Sequence, residues 1–159
     1  MVRALTPEAL TAEAYAPFGD VLSADRSDVP AKPANQGTAS RRDQLAELAS
    51  LRPGASLNVC SFRCSPKTVW PMEVALLEKH PLSTQVFIPM NARRYLVLVA
   101  LGGDSPDLST AMAFLASATQ GVSYRPGVWH HPMIALDAPI DFTCLVWEDG
   151  TDGDCVVAP

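Results

Sequence analysis

The stretch RYLVLVAL (Arg94–Leu101) is the clearest secondary-structure signal in the chain, a continuous run rich in valine and leucine. A short apolar run of this kind, bounded by turn residues, is typical of a buried strand. Similar segments follow at Val122–Tyr124, Val128–Leu136 and Ile140–Trp147, and another precedes it at Ser56–Phe62. Many short strands at a spacing of roughly 8–12 residues favour a sandwich or a barrel. The sequence therefore predicts an all-β fold.

Two short helices are predicted before most of these strands. Thr6-Pro7-Glu8 places a hydroxyl at the cap and proline at the first helical position, which predicts a short N-terminal helix that ends near Ala16. Leucines at helical spacing within Arg42–Leu51 predict a second helix. Between the two, Asp25–Ala39 is polar and aperiodic. Long loops of this kind are usually functional or mobile, and we expect one here.

Composition limits the class of protein. The 159 residues lie within the ~100–200 usual for one domain, so a single domain over residues 1–159 is expected. A formal net charge of -5 argues against an electrostatic nucleic-acid binder. The longest apolar run, Leu96–Leu101, is far shorter than the ~20 residues of a membrane helix. The four cysteines lack paired C-x-x-C spacing and are predicted to be reduced, buried side chains in a cytoplasmic protein.

Polar residues cluster in the segment MEVALLEKHPLSTQVFIPM (Met72–Met90). Glu78 and His80 are two residues apart, so on a strand their side chains share one face, where they could converge on one metal ion or substrate. A carboxylate with an imidazole suits nickel, iron, manganese or zinc better than calcium or magnesium. Spacing alone leaves open a solvated polar turn before Pro81. With Gln85 added, Glu78-x-His80-x4-Gln85 resembles the first cupin motif, H-x-H-x4-E, with Glu and Gln at two ligand positions.

The segment QGVSYRPGVWHHP (Gln120–Pro132) carries a second motif. Its Gly127-Val128-Trp129-His130 portion resembles the G-x-x-H element of the second cupin motif. Cupins are small barrels in which two such motifs build one internal site. Adjacent residues on a strand point to opposite faces, so only one of His130 and His131 can enter a barrel. The motif frame selects His130, and His131 is expected to pack outside; two ordinary strand-end histidines remain the alternative.

Over almost its whole length the chain resembles the ureidoglycolate lyases of allantoin breakdown. The resemblance rests on segments that occur here in the same order: APFGDV (Ala16–Val21), NQGTASR (Asn35–Arg41), SFR (Ser61–Arg63), LEKHPLSTQVFIPM (Leu77–Met90), GGDSPDLST (Gly102–Thr110), QGVSYRPGVWHHP (Gln120–Pro132) and VWEDGTDGDC (Val146–Cys155). No single segment is specific, but their combination is. The chain departs from metal-binding cupins in its first motif, which carries Glu and Gln where those proteins have His and Glu.

This resemblance implies a cupin-like double-stranded β-helix barrel with a short N-terminal helix, and an enzyme that cleaves (S)-ureidoglycolate to glyoxylate and urea. The catalytic residues it implies are Glu78, His80 and His130. The substrate-binding residues it implies are Arg41, Arg63, Gln85 and Asn35. The family is associated with a divalent metal ion such as nickel, for which the ligands here would be Glu78, His80, Gln85 and His130. A homodimer with a small-molecule substrate, and with no nucleic-acid or membrane partner, is also expected.

Two other functions stay open on sequence grounds. A different metal-dependent cupin enzyme, such as an oxygenase or a sugar isomerase, usually carries three histidines and a glutamate in its site. Here only two histidines, His80 and His130, fit inward. A non-catalytic module that binds small acids would need the arginines but not the acid–base residues.

Overall fold

The structure is a computed structural model that describes residues 3–91 and 93–159. Across these residues strands dominate, and the α-helical content is the short helix α1 (Ala12–Tyr15). The strands, numbered in chain order, are β1 (Glu8–Ala9), β2 (Val21–Leu22), β3 (Lys32–Ala34), β4 (Ala39–Arg41), β5 (Ser56–Cys64), β6 (Leu77–Lys79), β7 (Gln85–Pro89), β8 (Tyr95–Ala100), β9 (Met112–Ala116), β10 (Gly121–Tyr124), β11 (Trp129–His130), β12 (Ile134–Ala135), β13 (Ile140–Glu148) and β14 (Val156–Ala158). The predicted all-β fold is therefore confirmed.

Two larger sheets contain most of these strands. The first sheet has the order β1-β9-β8-β11-β6-β14, with β12 paired to β8. The second sheet has the order β2-β10-β7-β13-β5, and β3 and β4 form a separate hairpin. Strands that are distant in the chain thus become neighbours, which brings β6 beside β11 in the first sheet and β7 beside β10 in the second. No helix in the part of the chain that the structure describes is long and apolar enough to cross a membrane.

Aromatic side chains fill the interior between the two sheets. The Tyr95 ring of the first sheet packs edge-on against Phe142 of the second, with ring centroids 5.0 Å apart. Phe87 meets the same Phe142 ring at 5.9 Å. Both distances are typical of favourable T-shaped aromatic packing. Along β13 buried and partly exposed residues alternate, as expected for a strand with one face toward the core.

The N-terminal helix exists, but it begins later than predicted. Its N-cap is Thr11, whose side chain accepts a hydrogen bond from the Ala14 N–H at 3.1 Å. The predicted start of the helix at Thr6 is wrong, because Glu8–Ala9 forms a strand that pairs in parallel with β9. The strand pairing satisfies backbone groups that a helix over the same residues would have used locally.

The second predicted helix, Arg42–Leu51, is also wrong. This segment is irregular and uses long-range hydrogen bonds. The Leu51 N–H donates to the Leu82 carbonyl at 2.8 Å, and the Ala49 N–H donates to Thr84 Oγ1 at 2.9 Å. The predicted loop Asp25–Ala39 contains β3 and the turn that joins it to β4. Tertiary contacts therefore override the local leucine spacing.

Candidate active site

Glu78, His80 and His130 meet in the interior between the two sheets. His130 of β11 lies directly opposite Glu78 of β6, and its Nε2 is 3.6 Å from Glu78 Oε1. His80 follows β6, and its ring lies nearly parallel to the His130 ring at 5.7 Å. One potential ligand atom from each residue lies within 4.8 Å of the other two. The side chain of His130 is 1% exposed and that of Glu78 is 24% exposed, so the carboxylate marks the open side of the cluster.

Backbone carbonyls fix the orientation of both imidazoles. His80 Nδ1 lies 2.8 Å from the Asp154 carbonyl, and His130 Nδ1 lies 3.0 Å from the Val128 carbonyl. A carbonyl can only accept, so each Nδ1 donates and the neutral ring carries its lone pair on Nε2. Among the described residues, neither Nε2 has a hydrogen-bond partner, although both are buried. Both nitrogens are therefore available to accept a proton or to bind a metal ion.

The carbonyl that holds His80 belongs to a turn anchored by Arg52. The Arg52 side chain is 14% exposed and forms ion pairs with Asp149, at 3.0 Å, and with Asp154. The Asp154 carboxylate also accepts from the backbone N–H groups of Asp149 and Gly150, at 3.1 and 2.7 Å. Arg52 therefore acts on His80 through this turn. Arg52 is not among the site residues that the sequence predicts; the signal for it is the group of acidic residues between 149 and 154, which needs a nearby cation.

The cluster combines a charged carboxylate with a neutral imidazole. The polar contact with His130 lowers the pKa of Glu78 although partial burial opposes it, and His130 and His80 lower it further when they are protonated. Burial, reinforced by His130, lowers the pKa of His80 to about 4. At neutral pH Glu78 is therefore ionised and His80 carries no charge. An arrangement of this kind can accept a proton and stabilise the cation that results.

We expect the protein to lose stability as the pH falls from 6.5 toward 4. The folded pKa of His80 lies below its ordinary value of 6.5, so the unfolded chain binds more protons in this window. The contribution of the neutral His80 ring to the free energy of unfolding is complete above pH 6.5. It amounts to roughly 3 kcal/mol, since one pKa unit corresponds to about 1.36 kcal/mol. Glu78, whose pKa is lowered, adds a loss in the same direction at more acidic pH. Guanidinium unfolding at several pH values, with a chelator present, measures the slope.

The His80→Gln variant is the matched comparison for this measurement. It removes the titrating ring and retains a polar side chain of similar size. We expect its unfolding free energy to change less between pH 6.5 and 4 than that of the wild type. Equal slopes for the two proteins would contradict a neutral, buried His80.

Gln85 and Tyr124 of the second sheet face the cluster. They are Cα partners in the β7–β10 ladder, and the Tyr124 ring stacks on the His130 ring at 3.9 Å with an interplanar angle of 4°. The buried side-chain atoms without a hydrogen-bond partner along residues 3–91 and 93–159 are Arg52 Nε, His80 Nε2, Gln85 Oε1, Tyr124 Oη and His130 Nε2. Each such atom costs about 1–3 kcal/mol. Two of the five belong to the cluster and two more come from Gln85 and Tyr124 on the facing sheet, so a polar ligand bound here would satisfy unpaired buried atoms.

Of the three other predicted substrate-binding residues, the two arginines have ion-pair partners elsewhere in the fold and Asn35 is exposed. Arg63 lies opposite Asp141 on the outer face of β5 and forms a bidentate ion pair with it, at 2.8 and 2.9 Å. Arg41 of β4 pairs with Asp43, and Asn35 is exposed in the turn between β3 and β4. The expectation that Arg63 or Arg41 lies beside the cluster is therefore not met by these contacts. The physical reason for Arg63 is strand alternation, because its neighbours on β5 face inward.

Comparison with solved structures supports the cupin-like arrangement of the sheets. A dTDP sugar isomerase from Desulfovibrio desulfuricans G20 superposes with a TM-score of 0.50 at 15% sequence identity, covering 90% of this chain and 86% of that chain. Similarity at this level of identity concerns the fold alone. Together with the strand content, it confirms the predicted cupin-like all-β fold.

Sequence comparison defines the relationship more narrowly. A ureidoglycolate lyase from Burkholderia mallei (strain NCTC 10229) is 43% identical over 152 residues, which cover 96% of this chain and 86% of that protein. One from Pseudomonas syringae pv. tomato (strain ATCC BAA-871 / DC3000) is 37% identical over 154 residues, covering 97% of this chain and 88% of that protein. The family model described as ureidoglycolate lyase matches residues 2–158. The resemblance found in the motifs is thus confirmed, and this chain belongs to the ureidoglycolate lyase family.

Proposed function

We propose that this protein is a lyase that cleaves (S)-ureidoglycolate into glyoxylate and urea. The observation that carries the proposal is the meeting of the Glu78 carboxylate with the imidazoles of His80 and His130 in the interior between the sheets. Membership of the ureidoglycolate lyase family supplies the substrate class. The proposal includes Glu78, His80 and His130 as the catalytic residues.

The chemistry requires two proton movements and no water. One carbon of the substrate bears a hydroxyl, a carboxylate and the ureido nitrogen. When a base removes the hydroxyl proton, the C–O bond becomes the aldehyde of glyoxylate and the C–N bond breaks. The electron pair of that bond goes to nitrogen, which takes a proton and leaves as urea. A base and an acid that act in turn are therefore sufficient.

We assign both proton movements to the pair formed by His130 and Glu78. The His130 Nε2 lone pair accepts the hydroxyl proton, and the ionised Glu78 carboxylate 3.6 Å away stabilises the resulting imidazolium. The same Nε2–H then protonates the departing nitrogen. His80, held neutral by burial, contributes a second lone pair to the same cluster. The carbonyl contact of each Nδ1 keeps the two Nε2 atoms directed into the interior.

The residues of this cluster also fit a divalent metal ion. Two unpartnered imidazole nitrogens and one carboxylate form a donor set of the borderline kind that nickel or zinc accepts. We propose nickel bound by Glu78 and His80, with the Gln85 amide oxygen available either to the ion or to the substrate. His130 completes the ligand set only while its Nε2 lone pair is not engaged in proton transfer, because its Nδ1 already contacts the Val128 carbonyl. When bound, such an ion makes a coordinated hydroxyl more acidic.

Release of urea and glyoxylate from (S)-ureidoglycolate by the purified protein tests the proposed function. Equimolar formation of the two products is expected, because the reaction consumes no water. The same assay after treatment with a chelator, and after addition of nickel, tests the metal. Loss of activity with the chelator and recovery with nickel are expected. Absence of urea release from the nickel-supplemented protein would contradict the lyase assignment.

The substrate carboxylate requires a cation, and we keep Arg41 and Arg63 as candidates, with Asn35 as a hydrogen-bonding residue. An arginine binds a carboxylate best through two parallel hydrogen bonds. Arg63 already makes this contact with Asp141, so binding of substrate requires it to exchange partners. Arg41 lies in the exposed β3–β4 hairpin, so its participation requires the hairpin to close over the site.

We further propose that the protein is a homodimer. Exposed apolar side chains occupy the outer faces of β5 and β7, notably Leu57, Val59 and Ile88. Apolar patches on the surface of a soluble protein commonly mark interfaces. An isologous contact across this face would cover them. A mass of 17.0 kDa by light scattering at micromolar concentration would contradict the dimer.

Location and pathway follow as further proposals. We propose a cytoplasmic protein of allantoin breakdown in which residues 1–159 form one domain. All four cysteines are free, including Cys60 and Cys144, which are direct partners on adjacent strands. Unoxidised thiols on directly paired strand positions are typical of proteins in a reducing compartment.

The family match over residues 2–158 supports the single domain.

A further inference from the structure

We propose that Tyr124 and Gln85 form the subsite that recognises the ureido end of the substrate, an inference that rests on the proposed lyase function. In this subsite the Tyr124 hydroxyl donates a hydrogen bond to the ureido carbonyl. The Gln85 amide oxygen accepts one from a ureido N–H. Tyr124 is absent from the residues that the motifs suggested, and Gln85 gains a defined role.

The two side chains project from adjacent positions into the same interior. Tyr124 and Gln85 are direct partners in the antiparallel β7–β10 ladder, and such partners share one face of a sheet. That face is the inner one, because the Tyr124 ring stacks on His130 of the opposite sheet at 3.9 Å. The Tyr124 ring therefore lies against the imidazole that we assign to proton transfer, and Gln85 projects from the paired position on the same face.

The Tyr124 hydroxyl differs from those of the other two tyrosines in the chain. Tyr15 donates to the Ser123 carbonyl at 3.0 Å, and Tyr95 donates to the Gln120 carbonyl. Tyr124 Oη is equally buried, yet has no partner among the described residues, and neither has Gln85 Oε1. Buried polar atoms are normally hydrogen-bonded, so an unpaired donor and an unpaired acceptor on paired strand positions indicate a missing ligand.

The chemistry of a ureido group matches this pair. Its carbonyl oxygen accepts and its nitrogens donate, whereas the Tyr124 phenol, un-ionised at neutral pH, donates and the Gln85 amide oxygen accepts. The reacting carbon must lie beside Glu78 and His130 of the first sheet. A ureido group attached to that carbon and directed to the second sheet would lie against Tyr124. The stack also holds His130 next to the nitrogen that it protonates.

The test compares two ligands that differ in the ureido group. N-Carbamoylglycine carries a ureido group and a carboxylate but lacks the hydroxyl, so it cannot be cleaved. Glycolate carries the carboxylate and hydroxyl but no ureido group. In Tyr124→Phe and in Gln85→Met, we expect the Kd of N-carbamoylglycine to rise about tenfold, the effect of one lost hydrogen bond. The Kd of glycolate should stay within about twofold, since its contacts are unchanged.

Tyr95→Phe is the matched control because it removes a hydroxyl that already has a partner. It should lower the Tm and leave both Kd values unchanged, whereas Tyr124→Phe should leave the Tm unchanged or raise it. Equal losses for both ligands would overturn the subsite, as would a drop in Tm for Tyr124→Phe that matches Tyr95→Phe. Loss of nickel binding in Gln85→Met would overturn the role given to Gln85. Wild-type urea release reports separately on the lyase function, so the two failures are distinguishable.

Discussion

Replacing His130 with alanine is expected to lower kcat about 10²–10⁴-fold, the usual contribution of a general acid or base. His130 is 1% exposed and lies opposite Glu78 in the strand register, and its Nε2 is 3.6 Å from Glu78 Oε1. The Nδ1 contact with the Val128 carbonyl leaves that Nε2 free. His80 lies in the same cluster, but burial lowers its pKa to about 4, so it is too weak a base to replace His130 as the proton carrier. Steady-state release of urea measures the effect.

His131→Ala is the internal control for this experiment. The two histidines are adjacent, but the Nδ1 of His131 contacts the carbonyl of Pro132 at 2.7 Å, and the cluster is formed without it. We expect His131→Ala to retain most of the activity and to act mainly through stability. An inactive His131→Ala together with a nearly normal His130→Ala would mean that the strand register is wrong, for example through a bulge that exchanges the two side chains.

Strands were easier to predict from this sequence than helices. The run Arg94–Leu101 corresponds to Tyr95–Ala100, and Ile140–Trp147 corresponds to Ile140–Glu148, because continuous or alternating apolar residues reflect burial directly. The leucines of Arg42–Leu51 have helical spacing without forming a helix. Hydrogen bonds to distant residues stabilise that segment instead, and no local pattern reports such contacts.

The candidate site was partly predictable for a related reason. Motif spacing identified Glu78, His80 and His130, which the strand register does bring together. Tyr124 lies within the second motif, Gln120–Pro132. The inward direction of its side chain depends on the pairing of β10 with β7, which the sequence does not specify. Arg63 forms an ion pair with Asp141, which is distant in the chain. The two residues become neighbours only through the pairing of β5 with β13.

Replacing Glu78 with glutamine is expected to lower kcat by about 10²–10⁴-fold while the fold is retained. Glutamine has nearly the same shape, so the change removes the negative charge rather than the packing. Without that charge, an imidazolium formed at His130 loses the carboxylate 3.6 Å away that stabilises it. Glu78 also raises the pKa of His80 against the larger effect of burial, so the variant makes that ring a still weaker base.

Glu73→Gln is the matched control. It removes the same negative charge from an exposed residue in the same segment. It should leave kcat unchanged. Glu78→Gln should in addition weaken nickel binding, because it replaces an anionic oxygen donor by a neutral one, whereas an effect on proton transfer alone would leave nickel binding intact. A Glu78→Gln enzyme whose kcat stays within about tenfold of the wild type would show that the carboxylate does not stabilise the transferred proton. The two imidazoles would then have to carry the acid–base chemistry without it.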